Sequence, residues 1–398
     1  MLKNIINKRQ GITLIALVVT IIILLILAGV SISMLTGKNG ILNRAAEAKE
    51  KTEGTQKEEE KTLQGYEDVM AQYTGNLPSR TETKPYFPND TFSYKEGDLS
   101  TGLVIKDASQ NEYVWVEVPT TIYDNTTYNN NGANKPSNSE DYTNIEKCLK
   151  VYTKYYVNID YSDKNSTFTT QYQNMLKSVY ENGGFWIGRY EAGYEIDENK
   201  GEKVRDYGTD YDKEHPITQK AVIKENAYPY NWVRRDQAQT LANGMNYEGV
   251  TSSLMFGVQW DLMLKYIETK NSAQKSNLLT NSIPIGNYKD NLWNITNINA
   301  KYSENSGSSF IACPKPKTKN ASILLTTGAD TSFSLMNIYD IAGNVWEWTL
   351  EKTSSKDNPC AGRGGDYNSD GSNIPASYRY GYDTSYSIYG IGFRLSLY

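Results

Sequence analysis

Few residues in this chain have the type and spacing of a reactive centre. Its one histidine, His215, lies in the polar run DKEHPI beside a proline. An imidazole there reads as a solvated side chain, because a general base needs a partner to orient it. The three cysteines, Cys148, Cys313 and Cys360, are odd in number and match no CxxC spacing, so at most one intramolecular disulfide can form. No GxSxG, HExxH, Walker or GxGxxG pattern occurs, which leaves the common hydrolase, zinc and nucleotide chemistries without their groups. Asp366-Tyr367-Asn368-Ser369-Asp370-Gly371 matches the first half of an EF-hand loop, but Ser377 stands where the bidentate glutamate belongs.

The stretch Asn337–Thr349, NIYDIAGNVWEWT, carries two of the seven tryptophans. Ile338, Ile341, Val345, Trp346 and Trp348 supply apolar area, and Asp340, Asn344 and Glu347 are lodged among them. Polar groups so placed are hydrogen-bonded, ion-paired or metal-bound, since burial without a partner is costly. Gly343-Asn344 supplies a turn in which positive φ is cheap. The expectation is an aromatic-packed core turn, with Trp346 and Trp348 buried and Glu347 held by a metal or by a cation such as Arg394.

This stretch resembles the GNVWEW signature of the formylglycine-generating-enzyme (sulfatase-modifying-factor) superfamily. Five further blocks are similar to that family and follow its order: GFWIGRYEAG (Gly184–Gly193), YPYNWVRRDQAQTLAN (Tyr228–Asn243), FGVQWDLMLKYI (Phe256–Ile267), AGRGGDY (Ala361–Tyr367) and GIGFRLSL (Gly390–Leu397). Together they are far more specific than any one block. The resemblance implies an α+β, C-type-lectin-like fold with much irregular loop. It also implies a structural Ca2+ on Asn344, Glu347 and a backbone carbonyl near Val345; the alternative is that both side chains hydrogen-bond within the core. Formylglycine-generating enzymes use a cysteine pair between the RGG and GFR segments, whereas Arg363–Tyr398 contains no cysteine. Iron-dependent relatives use histidine ligands, which one histidine cannot supply.

Between RGG and GFR lies a run rich in Tyr, Asn, Ser and Asp. Asp366, Tyr367, Asn368, Ser369, Asp370, Ser372, Asn373, Tyr378, Tyr380, Tyr382, Asp383, Tyr386 and Tyr389 are its candidate ligand-binding residues. Tyr offers contact area at low entropic cost, and Ser, Asn and Asp offer adaptable hydrogen bonds. The run resembles the variable region of lectin-fold proteins diversified by retroelements; the alternative is a polar loop that only closes the fold. Exposed rings are expected for Tyr378, Tyr380, Tyr382 and Tyr386. If they prove to be core, the Asn-rich Thr120–Glu140 becomes the candidate surface.

These residues need a scaffold. Net charge is −5 and pI about 5.3, which argues against nucleic acid as a partner. Residues 1–11 form a short basic leader, and Ile12–Met34 is uncharged. As a helix that run reaches roughly 34 Å, enough to span a bilayer with the basic end inside. KRQGITLIALVV resembles a type IV prepilin start, implying cleavage between Gly11 and Ile12; Ala16 stands where pilins carry glutamate, and an uncleaved signal anchor is the alternative. The division expected is a transmembrane helix over 12–35, a helical stalk over 36–75, a linker over 76–95 and the family domain over 96–398, with an insertion at about 119–170. Within the domain, a hairpin is expected over Thr101–Val118 and helices over Gln171–Tyr180, Asp236–Asn243 and Trp260–Glu268. The expectation for the whole is a membrane-anchored, non-catalytic bacterial surface protein whose C-terminal domain binds an external protein or glycan. Its rivals are an enzyme with a non-standard centre and a minor pilin.

Overall fold

The computed structural model describes residues 83–123, 136–164, 166–210 and 213–398, and, nearer the N-terminus, Val18, Val19, Ile21 and Lys49. The leader with its Gly11/Ile12 junction, the membrane helix and the stalk lie outside the described residues apart from those four. So do residues 76–82 of the linker and 124–135 of the insertion. Among the described residues no helix is long and apolar enough to cross a membrane. The chain divides into two units, Met1–Asp68 and Val69–Tyr398, and the residues from Thr83 onward belong to the second.

Two sheets organise that unit. The first has six strands in the order Ser93–Glu96, Val104–Lys106, Glu112–Glu117, Gly184–Gly188, Leu395–Leu397, Ser252–Leu254, all paired antiparallel. Its centre reads EYVWVE beside GFWIG, rich in the β-branched and aromatic residues that fit a pleated surface. Trp115 and Trp186 meet there edge to face at 5.0 Å and are fully buried. The expected hairpin is present, with Val104 opposite Val114 and Gln110 at φ 68° in the turn. Leu395–Leu397 lies between Gly184–Gly188 and Ser252–Leu254, so the GFR block is held inside the sheet and not at its edge.

The second sheet is built on Trp346–Thr353. Cys360–Arg363 pairs antiparallel with it, Arg379–Tyr382 pairs antiparallel with that strand in turn, and Ile391–Phe393 lies parallel on its other side. Tyr161–Ser162, from the insertion, pairs with the far end of the long strand. Helices and largely antiparallel sheets thus share one unit, the mixed α and β class expected.

Four of the described helices are longer than eight residues. Ser139–Tyr152 is capped by Asn138, whose side chain accepts from the Glu140 and Asp141 amides while Asp141 accepts from the Asn138 amide. Thr169–Asn182 stops at Gly183, which takes φ 65°. Arg235–Asn243 and Gly257–Lys270 begin slightly earlier than their apolar spacing suggested. The earlier start of the latter has a visible cause: Asp163 accepts from the Gly257 and Val258 amides at 2.6 and 3.1 Å, filling two of the unsatisfied donors of the first turn.

Two expectations need correction. The stretch read as linker joins the fold from Thr83: its hydroxyl accepts from Trp115 Nε1 at 2.7 Å, Phe92 is buried, and Ser93–Glu96 forms the sheet edge. The Asn-rich Thr120–Glu140, offered as an alternative candidate surface, is structured at both described ends. Thr120 and Tyr123 are buried in a short 3-10 turn, and the helix starts at Ser139.

Candidate ligand-binding face

Alternation along Trp346–Thr353 sends Trp346 and Trp348 to one face of the second sheet and Glu347 and Glu351 to the other. The Glu face is an interior of ion pairs. Arg394 reaches Glu347 through Nε at 3.0 and 3.2 Å and Nη2 at 2.6 Å, and donates to the Gly188 and Tyr339 carbonyls. Arg363 donates to Glu351 at 3.1 Å and Asp261 at 2.8 Å; Arg379 donates to the same two carboxylates at 2.6–2.8 Å. Against the upward push of burial, Arg379 and Arg363 hold the Glu351 carboxyl below its ordinary range. Burial pushes Glu347 up against the opposing pull of Arg394. Trp346 and Trp348 are buried and Arg394 holds Glu347, as expected, and Phe393 and Arg363 are buried with them.

The Gly343-Asn344 turn takes φ 73° and 57°. Asn344 Nδ2 donates to Glu191 at 2.7 Å, and the Val345 amide donates to the other Glu191 oxygen at 3.1 Å. Asn344 Oδ1 accepts from Asn287 Nδ2 and the Leu325 amide. Burial first, then the charges of Asp340 and Glu347, raises the Glu191 carboxyl well above its usual range.

These residues do not fit the calcium that the resemblance implied at Asn344, Val345 and Glu347. The Asn344 oxygen faces N–H donors, and Arg394 already supplies the positive charge beside Glu347. A hard cation needs six or more free oxygens. The arrangement found is the alternative, hydrogen bonding within the core. The EF-hand-like loop is also spent on itself: Asp366 Oδ1 accepts from the Asn368 amide and the Ser369 hydroxyl, and Asn368 Oδ1 from Ser322. Burial raises Asp366 to about 6.

The tryptophan face carries the aromatics of the C-terminal run. Tyr378, Tyr380 and Tyr382 alternate with Arg379 and Gly381, so their rings share one side while Arg379 enters the ion-pair layer. Their centroids lie 6.0–6.1 Å from that of Trp346. Tyr382 stacks on Tyr386 at 4.5 Å and meets Trp348 edge-on at 5.3 Å. Gly362 makes room for this: a Cβ there would stand 2.9 Å from Tyr382 Cε2.

Exposure divides the candidates. Tyr378 and Tyr380 are 36% and 50% exposed, and Asn368, Ser372 and Asn373 are exposed too. Ser369, Asp370, Asp383, Tyr386 and Tyr389 are half-buried. Tyr382 is buried and Tyr386 only half-exposed, contrary to the exposed rings expected, and the candidates Asp366 and Tyr367 are buried too. Asp366 serves its own turn, Tyr367 packs on Tyr389, and Tyr382 fills the space above Gly362. The run also divides in space. Tyr378–Tyr386 gathers on Trp346, whereas Asp370, Gly371 and Ser372 contact Lys289 and Asp290.

His215 is not the solvated loop residue its sequence context suggested. It is 3% exposed, stacked on Tyr207 at 4.1 Å and edge-on to Trp232, with Nδ1 3.0 Å from the Ser387 hydroxyl. Burial lowers its pKa. Glu191 and Arg379 escaped the sequence reading altogether. Each carried a signal, a carboxylate in an apolar strand block and an arginine alternating with tyrosines. Cys313 and Cys360 are buried thiols, and burial pushes both up.

The family model described as "Sulfatase-modifying factor enzyme 1-like domain" matches residues 182–397. No curated protein matches the chain. Among solved structures it is similar to Treponema denticola variable protein 1, at 16% identity and TM-score 0.29 over 54% of this chain and 84% of that one. It is similar to CarF at 13% and 0.34, over 61% and 93%, and to PvdO from Pseudomonas aeruginosa at 14% and 0.31, over 54% and 81%. Identities and scores this low carry over no property of those proteins.

Proposed function

The chain belongs to the sulfatase-modifying-factor family, and we propose that it is a non-catalytic, ligand-binding member of it, held at a bacterial cell surface by its N-terminal apolar helix. The observation that carries this reading is the pair of exposed rings, Tyr378 and Tyr380, packed over Trp346. Rigid aromatics on a firm floor lose little entropy on contact and dominate the interfaces they enter. Arg379, locked between them by two carboxylates, keeps the pair in register. Tyr386 and Asp383 offer secondary contacts beside the pair, while the exposed Asn368, Ser372 and Asn373 lie on the separate part of the run. The ligand is an external protein or glycan, and diversification of the run among isolates would suit such a face.

Catalysis of the formylglycine type is disfavoured by chemistry. The reactive species is a thiolate, Arg363–Tyr398 has no cysteine, and burial keeps Cys360 and Cys313 protonated. Anchoring rests on the uncharged run Ile12–Met34 behind a basic leader. Protease added to intact, wall-stripped cells should therefore digest the C-terminal domain, and its full protection would refute the topology.

The binding test is the double variant Tyr378→Ala/Tyr380→Ala, assayed on a glycan array and on immobilised surface proteins. Its melting temperature should stay within a degree or two, because surface changes usually cost under about 0.5 kcal/mol. Binding by the wild-type protein should be lost. Retained binding with an unchanged fold would sink the proposal.

A further inference from the structure

The sheet that carries the tyrosines ends in an open edge. Its order runs Arg379–Tyr382, Cys360–Arg363, Trp346–Thr353, Ile391–Phe393, so Arg379–Tyr382 pairs on one side only. Which backbone groups point outward follows from alternation, since successive residues of a strand turn their N–H and C=O to opposite sides. The Trp346 amide donates to the Gly390 carbonyl, on the Ile391 side. The backbone of Glu347 therefore turns to its partner Arg363, and that of Gly362 turns the other way, to Tyr380. At the far end the Thr353 amide donates to the Pro359 carbonyl, which leaves Cys360 turned to Tyr382 and fixes the same alternation. The N–H and C=O of Arg379 and Gly381 are thus directed out of the sheet. Among the described residues neither backbone bonds to a further segment. Both are accessible: Gly381, which is all backbone, is partly exposed, and so is Arg379 although its side chain is only 7% exposed.

The six-stranded sheet shows how an edge is closed to partners. Ser93–Glu96 carries Lys95 and Glu96 and a bulge between Tyr94 and Glu96, devices that deter strand pairing. Arg379–Tyr382 has neither. Its register is continuous, and its one charge is turned inward onto Asp261 and Glu351. The edge offers donors and acceptors at alternate residues, and their complement is another backbone in extended conformation. A second copy of this chain fits poorly. Symmetric pairing of two four-residue strands makes a contact about 14 Å long, too small for the roughly 800 Å2 per partner of a stable interface. An external segment is not confined to the edge. Its alternate side chains reach over Tyr378 and Tyr380, the exposed rings on Trp346, where aromatic and β-branched residues pair well.

We infer that the ligand is a protein, and that an extended segment of it adds to this sheet as a strand beside Arg379–Tyr382, with aromatic or β-branched residues at alternate positions over Tyr380. The inference rests on the reading of the aromatic face as the binding surface and names the partner of that face.

The probe is a random peptide library displayed on phage and selected on the full chain in detergent. Each selected peptide is synthesised with one backbone amide N-methylated at a time and titrated by calorimetry. Strand addition predicts a period of two. Methyls on amides that face the edge should weaken binding about tenfold, the loss of one hydrogen bond, and those between them should leave it within about twofold. Hydrogen–deuterium exchange of the wild-type protein should slow over residues 379–381 when the peptide saturates it and stay unchanged over Ser93–Glu96. Gly381→Pro removes one outward donor, which an edge strand tolerates, and should weaken binding about tenfold. Should that variant fail to fold, exchange of the wild-type protein locates the site by itself. Selection of no peptide, a flat methylation profile, protection only at another edge, or self-association of the chain that Gly381→Pro abolishes would overturn the inference. The two readings fail separately. Period-two peptide binding that survives Tyr378→Ala/Tyr380→Ala would refute the aromatic face and keep the edge. A glycan bound by the wild type and lost in that variant, with no peptide selected, would refute the edge and keep the face.

Discussion

Arg394 Nη2 lies 2.6 Å from Glu347 Oε1, and neither side chain is more than 1% exposed. The pair joins the six-stranded sheet to the sheet that carries the tyrosines. It also sits among further acid, since Glu191 and Asp340 are buried nearby and burial raises both carboxyls, Asp340 to about 7.

Removing the arginine should therefore be severe. Arg394→Met leaves Glu347 charged and buried beside two other carboxyls, and losing one partner of a buried pair typically costs about 3–5 kcal/mol. Urea unfolding of Arg394→Met and of Arg394→Met/Glu347→Gln measures it. The double variant should recover part of the loss. A single-variant cost below about 1 kcal/mol would mean that the pair contributes no more than a surface one.

Asp366 gives a pH signature of definite sign. Burial raises its folded-state value from 3.8 to about 6, above that of the unfolded chain, so the folded state keeps the proton longer. Its contribution is most favourable below about pH 4 and declines as pH rises toward 6. Asp366→Asn keeps the oxygen that accepts from Asn368 and Ser369. It should stabilise the protein at pH 7.5 by up to about 3 kcal/mol, from a shift of roughly two units at 1.36 kcal/mol each, and by nothing near pH 3.5. Thermal melts of both proteins at the two pH values suffice. A gain that grew toward low pH would contradict the assignment.

What the sequence made legible was what neighbouring residues decide. Trp346, Trp348 and Phe393 sit in apolar alternation, and they are core. The turn at Asn182-Gly183 ends its helix because Gly183 takes positive φ at no steric cost. What it hid was contact between distant segments. His215 looks solvated among Asp, Lys and Glu, and only folding brings Trp232 and Ser387 onto its ring. Asn344 could be read as a calcium ligand because nothing local shows Glu191, 153 residues away, accepting from its amide. The tyrosine run shows both sides at once. Alternation placed Tyr378, Tyr380 and Tyr382 together, but no local pattern distinguishes exposed Tyr380 from buried Tyr382.

That distinction comes from Gly362, and it can be tested. Gly362 pairs with Tyr380 across the strands, and the Tyr382 ring swings diagonally over it toward Trp346 and Trp348. A Cβ at 362 would lie 2.9 Å from Tyr382 Cε2 and 3.6 Å from Ile391 Cδ1. The ring has little room to retreat, being stacked on Tyr386 and in contact with Tyr380. Gly362→Ala should therefore destabilise by about 1–3 kcal/mol, the usual cost of overpacking. Tyr382→Leu should be costly alone, since a buried aromatic is lost. In the Tyr382→Leu background, however, Gly362→Ala should cost much less, because the atoms it strikes are gone. A double-mutant cycle in urea should return a coupling of about 1 kcal/mol or more. Strict additivity of the two substitutions would show that Gly362 does not set the position of Tyr382. The burial of that ring, and with it the difference between Tyr382 and Tyr380, would then need another cause.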